Sequence, residues 1–172
     1  MESDDAAGTA RVEDTGCCPR FDPEPWRDRE VTWDEKPFAR DRVHSVLRMP
    51  IDFGKVMARN VEELGDALEP DQLVLCNENS LWGTDVFLAV TRPVPGRQLT
   101  LISGTMLATV HEGPFRQMRE FTNAAVATAK QNGLAADDVY FWYPTCPKCA
   151  KAYGENFIVI FVGSATQIPE ER

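Results

Sequence analysis

The chain has 172 residues, 43% hydrophobic and 26% charged, which fits one globular domain able to bury a core without disulfide or metal staples. Its formal net charge of -9, with no Lys/Arg cluster, opposes binding to phosphate backbones or anionic lipid, and no apolar run approaches the roughly 20 residues of a membrane-spanning helix. These features predict a soluble cytoplasmic protein, a monomer or weak homodimer, with neither nucleic acid nor membrane as partner.

Met1 to Thr15 is acidic and small-residue rich, without the basic start and apolar centre of a secretory signal, and reads as a tail. Gly16 to Trp26 carries three prolines and two aromatics, which suits an extended segment anchored across the domain by Phe21 and Trp26. Trp33 to Met49 has strand composition, with Pro37 confining its start to an edge and a core from Phe38 to Leu47. Phe53, Val56, Met57, Asn60, Val61, Leu64 and Leu68 then recur at helical spacing. Gln72–Cys76 and Asp85–Thr91, joined by turn formers, predict a hairpin.

After a linker over 92–100 the same order begins again. A strand at Leu101–His111 and a turn at Glu112-Gly113-Pro114 precede a helix from Phe115 to Asn132. Val139–Tyr143 and Asn156–Val162 supply two more strands. Residues 16–163 thus form one domain of two halves, about 33–91 and 101–163, with tails at 1–15 and 164–172. Leu81–Val90 also aligns without a gap on Ala152–Phe161, an aromatic-glycine pair before an apolar strand each time. The expected fold is α+β: a duplicated β-α-β-β (SHS2-type) unit, with an antiparallel sheet, helices on one face and a central ligand cleft on the other.

Alternation assigns Val86, Leu88 and Val90 to the helix side and Asp85, Phe87 and Ala89 to the ligand side. Each aromatic taken singly is ordinary core. As a set, Phe87, Tyr140, Trp142 and Tyr143, with Trp82 and Tyr153 brought in by pseudo-symmetry, predict an aromatic cage for a planar hydrophobic small molecule.

Val110-His111-Glu112-Gly113-Pro114-Phe115 looks like the H-x-G-P-aromatic junction of the GyrI-like small-molecule-binding superfamily, and the duplicated order matches over roughly 33–163. The segments GCCPRFDPEPW, DFGKVM, LWGTDVFLAV and TCPKCAKAYG are similar to a stand-alone branch labelled hydrolase or multidrug-binding protein. The resemblance implies a cavity for planar, often cationic aromatics. One subfamily opens the cyclopropane ring of DNA-alkylating natural products of the yatakemycin and CC-1065 type. The final strand departs from the multidrug-binding effectors, with Glu155-Asn156-Phe157-Ile158-Val159 in place of a buried acid and a proline-ended strand, so the identity of a pocket acid stays open.

Ring opening needs a dry slot, a donor to the conjugated carbonyl and an oriented water. Trp82, Phe87, Tyr140, Trp142 and Phe115 are the candidates for the slot. Tyr143 or Tyr153 would be the donor, and Glu78, Asp85 or Glu112 the base. Each acid has a bland alternative as a solvated charge, and Glu112 as a partner for the helix that follows it. Neither His44 nor His111 stands in a Cys-His or Ser-His-Asp arrangement, which disfavours a covalent hydrolase and leaves non-catalytic sequestration as the alternative. No cofactor is expected. Cys146-Pro147-Lys148-Cys149 is a C-x-x-C knuckle that Cys17 and Cys18 would complete as a thiolate set, but adjacent ligands are unusual, and packing is the preferred reading over zinc or a redox dithiol.

Overall fold

The computed structural model describes residues 14–46, 49–78 and 80–170, without the side chains of Met49 and Pro50. Of the tail expected over 1–15, only Asp14 and Thr15 fall within that range, and Leu47, the expected end of the first strand, lies outside it. The elements in order are β1 (Arg29–Val46), β2 (Met49–Pro50), α1 (Phe53–Leu64), β3 (Val74–Asn77), β4 (Gly83–Ala89), β5 (Leu99–Glu112), α2 (Met118–Gln131), β6 (Asp138–Trp142), α3 (Pro147–Tyr153) and β7 (Phe157–Pro169). Short 3-10 turns at Gly65–Ala67 and Phe115–Gln117 extend α1 and precede α2.

Every strand pairing is antiparallel, and six strands close in the ring β1-β4-β3-β6-β7-β5, because β1 pairs with β4 on one side and β5 on the other. The class is α+β, a barrel-like closed sheet carrying three helices. To serve two neighbours the long β1 must bend, and it does so at a bulge between Trp33 and Lys36, where Glu35 takes a positive φ of 47°. Pro37 is therefore not at an edge. It pairs with Leu101, and its carbonyl accepts from Val90 N–H at 3.1 Å, just beyond the last β1–β4 pair, Phe38↔Ala89. Its nitrogen, lacking a hydrogen, cannot return a bond to the facing Val90, and the β1–β4 ladder ends there.

Strand register fixes the two faces of the sheet. Phe38, Ile102, Met106, Phe87, Tyr140 and Phe161 share the inward one and are fully buried. Phe87 meets Tyr140 edge-on with centroids 6.2 Å apart, and Trp33 meets Phe38 at 5.8 Å. The outward face carries the helices. α1 lays Val56, Asn60 and Leu64 on it, with Asn60 Nδ2 donating to Asp41 at 2.7 Å. α2 presses the small Ala125 and Ala129 onto Leu107, Ile158, Ile160 and Val162.

The face opposite the helices, expected to be open for a ligand, is instead turned inward by ring closure and filled with side chains. Burying each of those rings stabilises the fold by about 1.5–3 kcal/mol, which an open sheet would forgo. Residues 164–169, expected as tail, belong to β7, which pairs with β5 as far as Thr100↔Pro169. The stretch between the expected strands Val139–Tyr143 and Asn156–Val162 contains α3. The aligned glycines also diverge: Gly83 lies inside β4, whereas Gly154 caps α3.

The weak join in the ring is between β3 and β6. Among the described residues it is held by the pair Cys76↔Phe141, whereas β5 and β7 pair without interruption from Thr100↔Pro169 to Glu112↔Phe157.

Candidate functional site

A cavity of about 1400 Å³ opens over this β3–β6 join, on the side that bears the helices. Its floor is Val74, Cys76 and Leu88, and its walls are Phe53, Met57 and Val61 from α1 facing Phe115 and Met118 at the start of α2. α1 can supply a wall because it carries two apolar stripes. Val56, Asn60 and Leu64 meet the sheet, and Phe53, Met57 and Val61, each one turn on from the last, turn toward the cleft. The sequence merges these into one core stripe, although its width exceeds what a single sheet contact uses.

Past the strand ends the cleft reaches the barrel mouth, where Trp26, Trp33 and Trp142 line it. The segment before β1 crosses that mouth as expected. Phe21 and Trp26 both meet Trp142 edge-on, at 5.3 Å and 5.1 Å between centroids, and Arg20 pairs with Glu155 at 3.0 Å. Lys36 and Glu69 form an ion pair at the rim.

One polar feature of the wall is a pair from the two halves. Tyr143, just past β6, donates its hydroxyl to Glu78 Oε1, just past β3, at 2.6 Å. Burial, and then the neighbouring Glu78 carboxylate, push the Tyr143 phenol far above its ordinary range, so it stays protonated as a donor. Its ring stacks parallel to Phe141 at 6.5 Å and takes Phe115 edge-on at 5.8 Å, which fixes the hydroxyl's direction. Tyr143, Glu78, Trp142 and Phe115 are the sequence candidates that meet at the cleft.

The other candidates lie elsewhere. Asp85 is on the inward face, paired with Arg40 at 3.0 Å and Arg42 at 3.8 Å. Glu112 is exposed at the end of β5, away from the cleft. Tyr153 anchors the N-terminal segment: its hydroxyl accepts from Thr15 N–H at 3.0 Å and donates to the Cys18 carbonyl. Trp82 is 65% exposed and outside the cleft, because the turn it occupies precedes β4 on the far side of the barrel from the mouth aromatics. Phe87 and Tyr140 fill the barrel, with Tyr140 accepting from Gln167 Nε2 at 2.6 Å.

Neither histidine lines the cleft. His44 bonds Asp52 at 2.8 Å, and His111 stacks on Phe121 of α2 at 5.0 Å. The cysteines divide. Cys76 is buried in β3, where desolvation pushes its thiol well up, whereas the sulfurs of Cys17, Cys18, Cys146 and Cys149 all lie within 4.8 Å of one another. No helix among the described residues is long and apolar enough to cross a membrane.

No curated protein matches the chain. The model of one protein family, described as bacterial hydrolase, matches residues 9–163, and the chain belongs to that family.

Proposed function

We propose that the cleft takes a planar hydrophobic small molecule and hydrolyses it by direct water addition, the activated cyclopropane of CC-1065 and yatakemycin-type compounds being the substrate class. The observation that carries this reading is the Tyr143–Glu78 hydrogen bond on the wall of an aromatic-lined cavity, in a chain of a hydrolase family. The pairing order β1-β4-β3, repeated as β5-β7-β6, supports reading the domain as a duplicated GyrI-like unit whose cleft lies where the halves meet.

A flat ligand that buries about 200 Å² of apolar surface against Phe53, Met57, Phe115 and Trp142 gains roughly 5 kcal/mol before the entropy of association is subtracted. In the reaction, the attacking water forms a C–O bond to the ring methylene and loses a proton to Glu78. The cyclopropane C–C bond breaks, and its electron pair moves into the conjugated carbonyl. Tyr143 turns its hydroxyl from Glu78 to that oxygen, where negative charge develops. Tyr143 passes its proton to that oxygen and regains one from Glu78, so the product is a phenol heavier than the substrate by one water. That chemistry suits detoxification or self-protection.

Incubation with a cyclopropa-indolone, followed by mass spectrometry, tests the proposal. A product heavier by one water, formed faster than without protein, supports hydrolysis. Tight binding of the intact compound without turnover selects the sequestering alternative, for which the same apolar cleft is the supporting observation.

A further inference from the structure

We infer that Cys17, Cys18, Cys146 and Cys149 bind a structural zinc ion that clamps the N-terminal segment to α3 beside the cleft. Four sulfurs from two distant stretches of chain converge within 4.8 Å of one another, with Cys17 Sγ and Cys18 Sγ 3.9 Å apart. A tetrahedral tetrathiolate with Zn–S of about 2.3 Å requires sulfur separations of about 3.8 Å, so closing the set on an ion takes shifts under about 1 Å.

The local structure explains how adjacent cysteines, unpromising in the sequence, reach one point. Asp14 and Pro19 form an isolated antiparallel bridge, and Gly16 sits at φ +73° in the turn between them, with its N–H bonded to Asp14 Oδ1 at 2.7 Å. This tight turn bends the chain between the two residues that flank the cysteine pair. On the other side Cys146 precedes Pro147, the first residue of α3, and Cys149 lies one turn along, which aims both sulfurs of the C-x-x-C at the turn. Thr15 Oγ1 lies 3.0 Å from Cys149 Sγ, in position to donate to a thiolate as an outer partner.

A redox dithiol needs only Cys146 and Cys149 and leaves the convergence of Cys17 and Cys18 without a purpose. A bound ion uses all four. It also accounts for position: Cys17, Cys18 and Cys146 line the cleft, as do Phe21 and Trp26 of the same N-terminal segment. The clamp thus holds one wall of the cavity against the end of β6, which carries Trp142. The inference departs from packing, the reading that the sequence alone prefers for these cysteines.

The test is elemental analysis of the full chain purified with reductant, expected to give one zinc per chain. Cobalt exchanged into the protein is expected to show an intense thiolate-to-cobalt charge-transfer band and tetrahedral ligand-field bands. Cys146→Ser and Cys17→Ser are expected to lose the metal, while Cys76→Ala retains it. If the serine variants do not fold, the cobalt spectrum of the unaltered chain still decides. Trypsin cleavage after Arg20 or Arg27 should rise several-fold once zinc is chelated. The inference is overturned by metal-free protein, by a cobalt spectrum without thiolate charge transfer, or by a Cys146–Cys149 or Cys17–Cys18 disulfide in the native chain. An unchanged cleavage rate after chelation overturns the clamp.

Discussion

Tyr143 and Glu78 come from opposite halves of the chain, yet the phenol donates to the carboxylate at 2.6 Å across the weakest join of the barrel. The cleft lies over this join, with Cys76 of β3 in its floor. Replacing Tyr143 by Phe keeps the ring that stacks on Phe141 and removes only the donor. Turnover of a planar electrophile is expected to fall roughly 10²-fold or more, with ligand affinity nearly unchanged. Glu78→Gln should behave alike. If either variant loses binding and turnover in parallel, the pair is a positioning element and the chemistry lies elsewhere.

The cleft's location gives a second prediction, because Phe53 and Trp82 exchange the importance that the sequence assigns them. Phe53→Ala removes an α1 wall residue and is expected to weaken binding of a planar dye about tenfold, since about 1–2 kcal/mol of apolar contact is lost. Trp82→Ala, at an exposed ring outside the cavity, is expected to leave the affinity as it was. Fluorescence titration distinguishes the two. Equal losses in both variants would move the site to the turn before β4.

What was legible in the sequence follows from the range of the interactions involved. Helical spacing located α1 and α2 and strand composition located β1 and β5 to within a few residues, because these depend on local pattern. Ring closure depends on β1 meeting β5, a contact between segments about 70 residues apart that periodicity does not record. Without it, Phe87 and Tyr140 looked like a ligand wall when they are the barrel's filling. Tyr143 and Glu78 were among several acids and phenols of equal standing, and only register singled them out. α3 has too few residues to show helical spacing, and its C-x-x-C points to thiol chemistry instead, although Pro147 is well placed in a first helical turn.

The junction His111-Glu112-Gly113-Pro114-Phe115 sets the start of the α2 wall, and its glycine is tightly enclosed. Gly113 has φ +153°, and a Cβ there would lie 2.6 Å from Gln117 Oε1 and 2.9 Å from Phe121 Cζ. Its carbonyl also accepts from Asn156 Nδ2 at 2.7 Å, which ties the turn to the start of β7. Gly113→Ala must strain the backbone and displace Phe121, at a cost of about 1–3 kcal/mol. The melting temperature is expected to drop by several degrees, with a smaller loss in Asn156→Ala, which breaks one bond and leaves the turn. A Gly113→Ala variant as stable as the parent would show that the turn relaxes freely.

Stability below neutral pH is expected to report on His111. Burial lowers its pKa below 6.5, against the opposing charge of Asp28, because the ring lies under α2, stacked on Phe121 at 5.0 Å, with Nε2 3.0 Å from the Thr109 hydroxyl. The folded chain therefore resists a proton that the unfolded chain accepts. The neutral-ring contribution is fully present above 6.5 and declines as pH falls below it, since the unfolded state then binds more protons. Two carboxylates act lower on the scale. Asp41 is held below 3.8, its burial outweighed by hydrogen bonds from Arg59 and Asn60, and Asp52 is held low by its hydrogen bond with His44, so both contributions are lost only near and below 3.8. Between about pH 7.5 and about pH 5.5 the fall in melting temperature should thus be shallower in His111→Gln than in the parent chain. Thermal unfolding at the two pH values measures it, and identical slopes in the two proteins would mean that protonation of this ring is not coupled to folding.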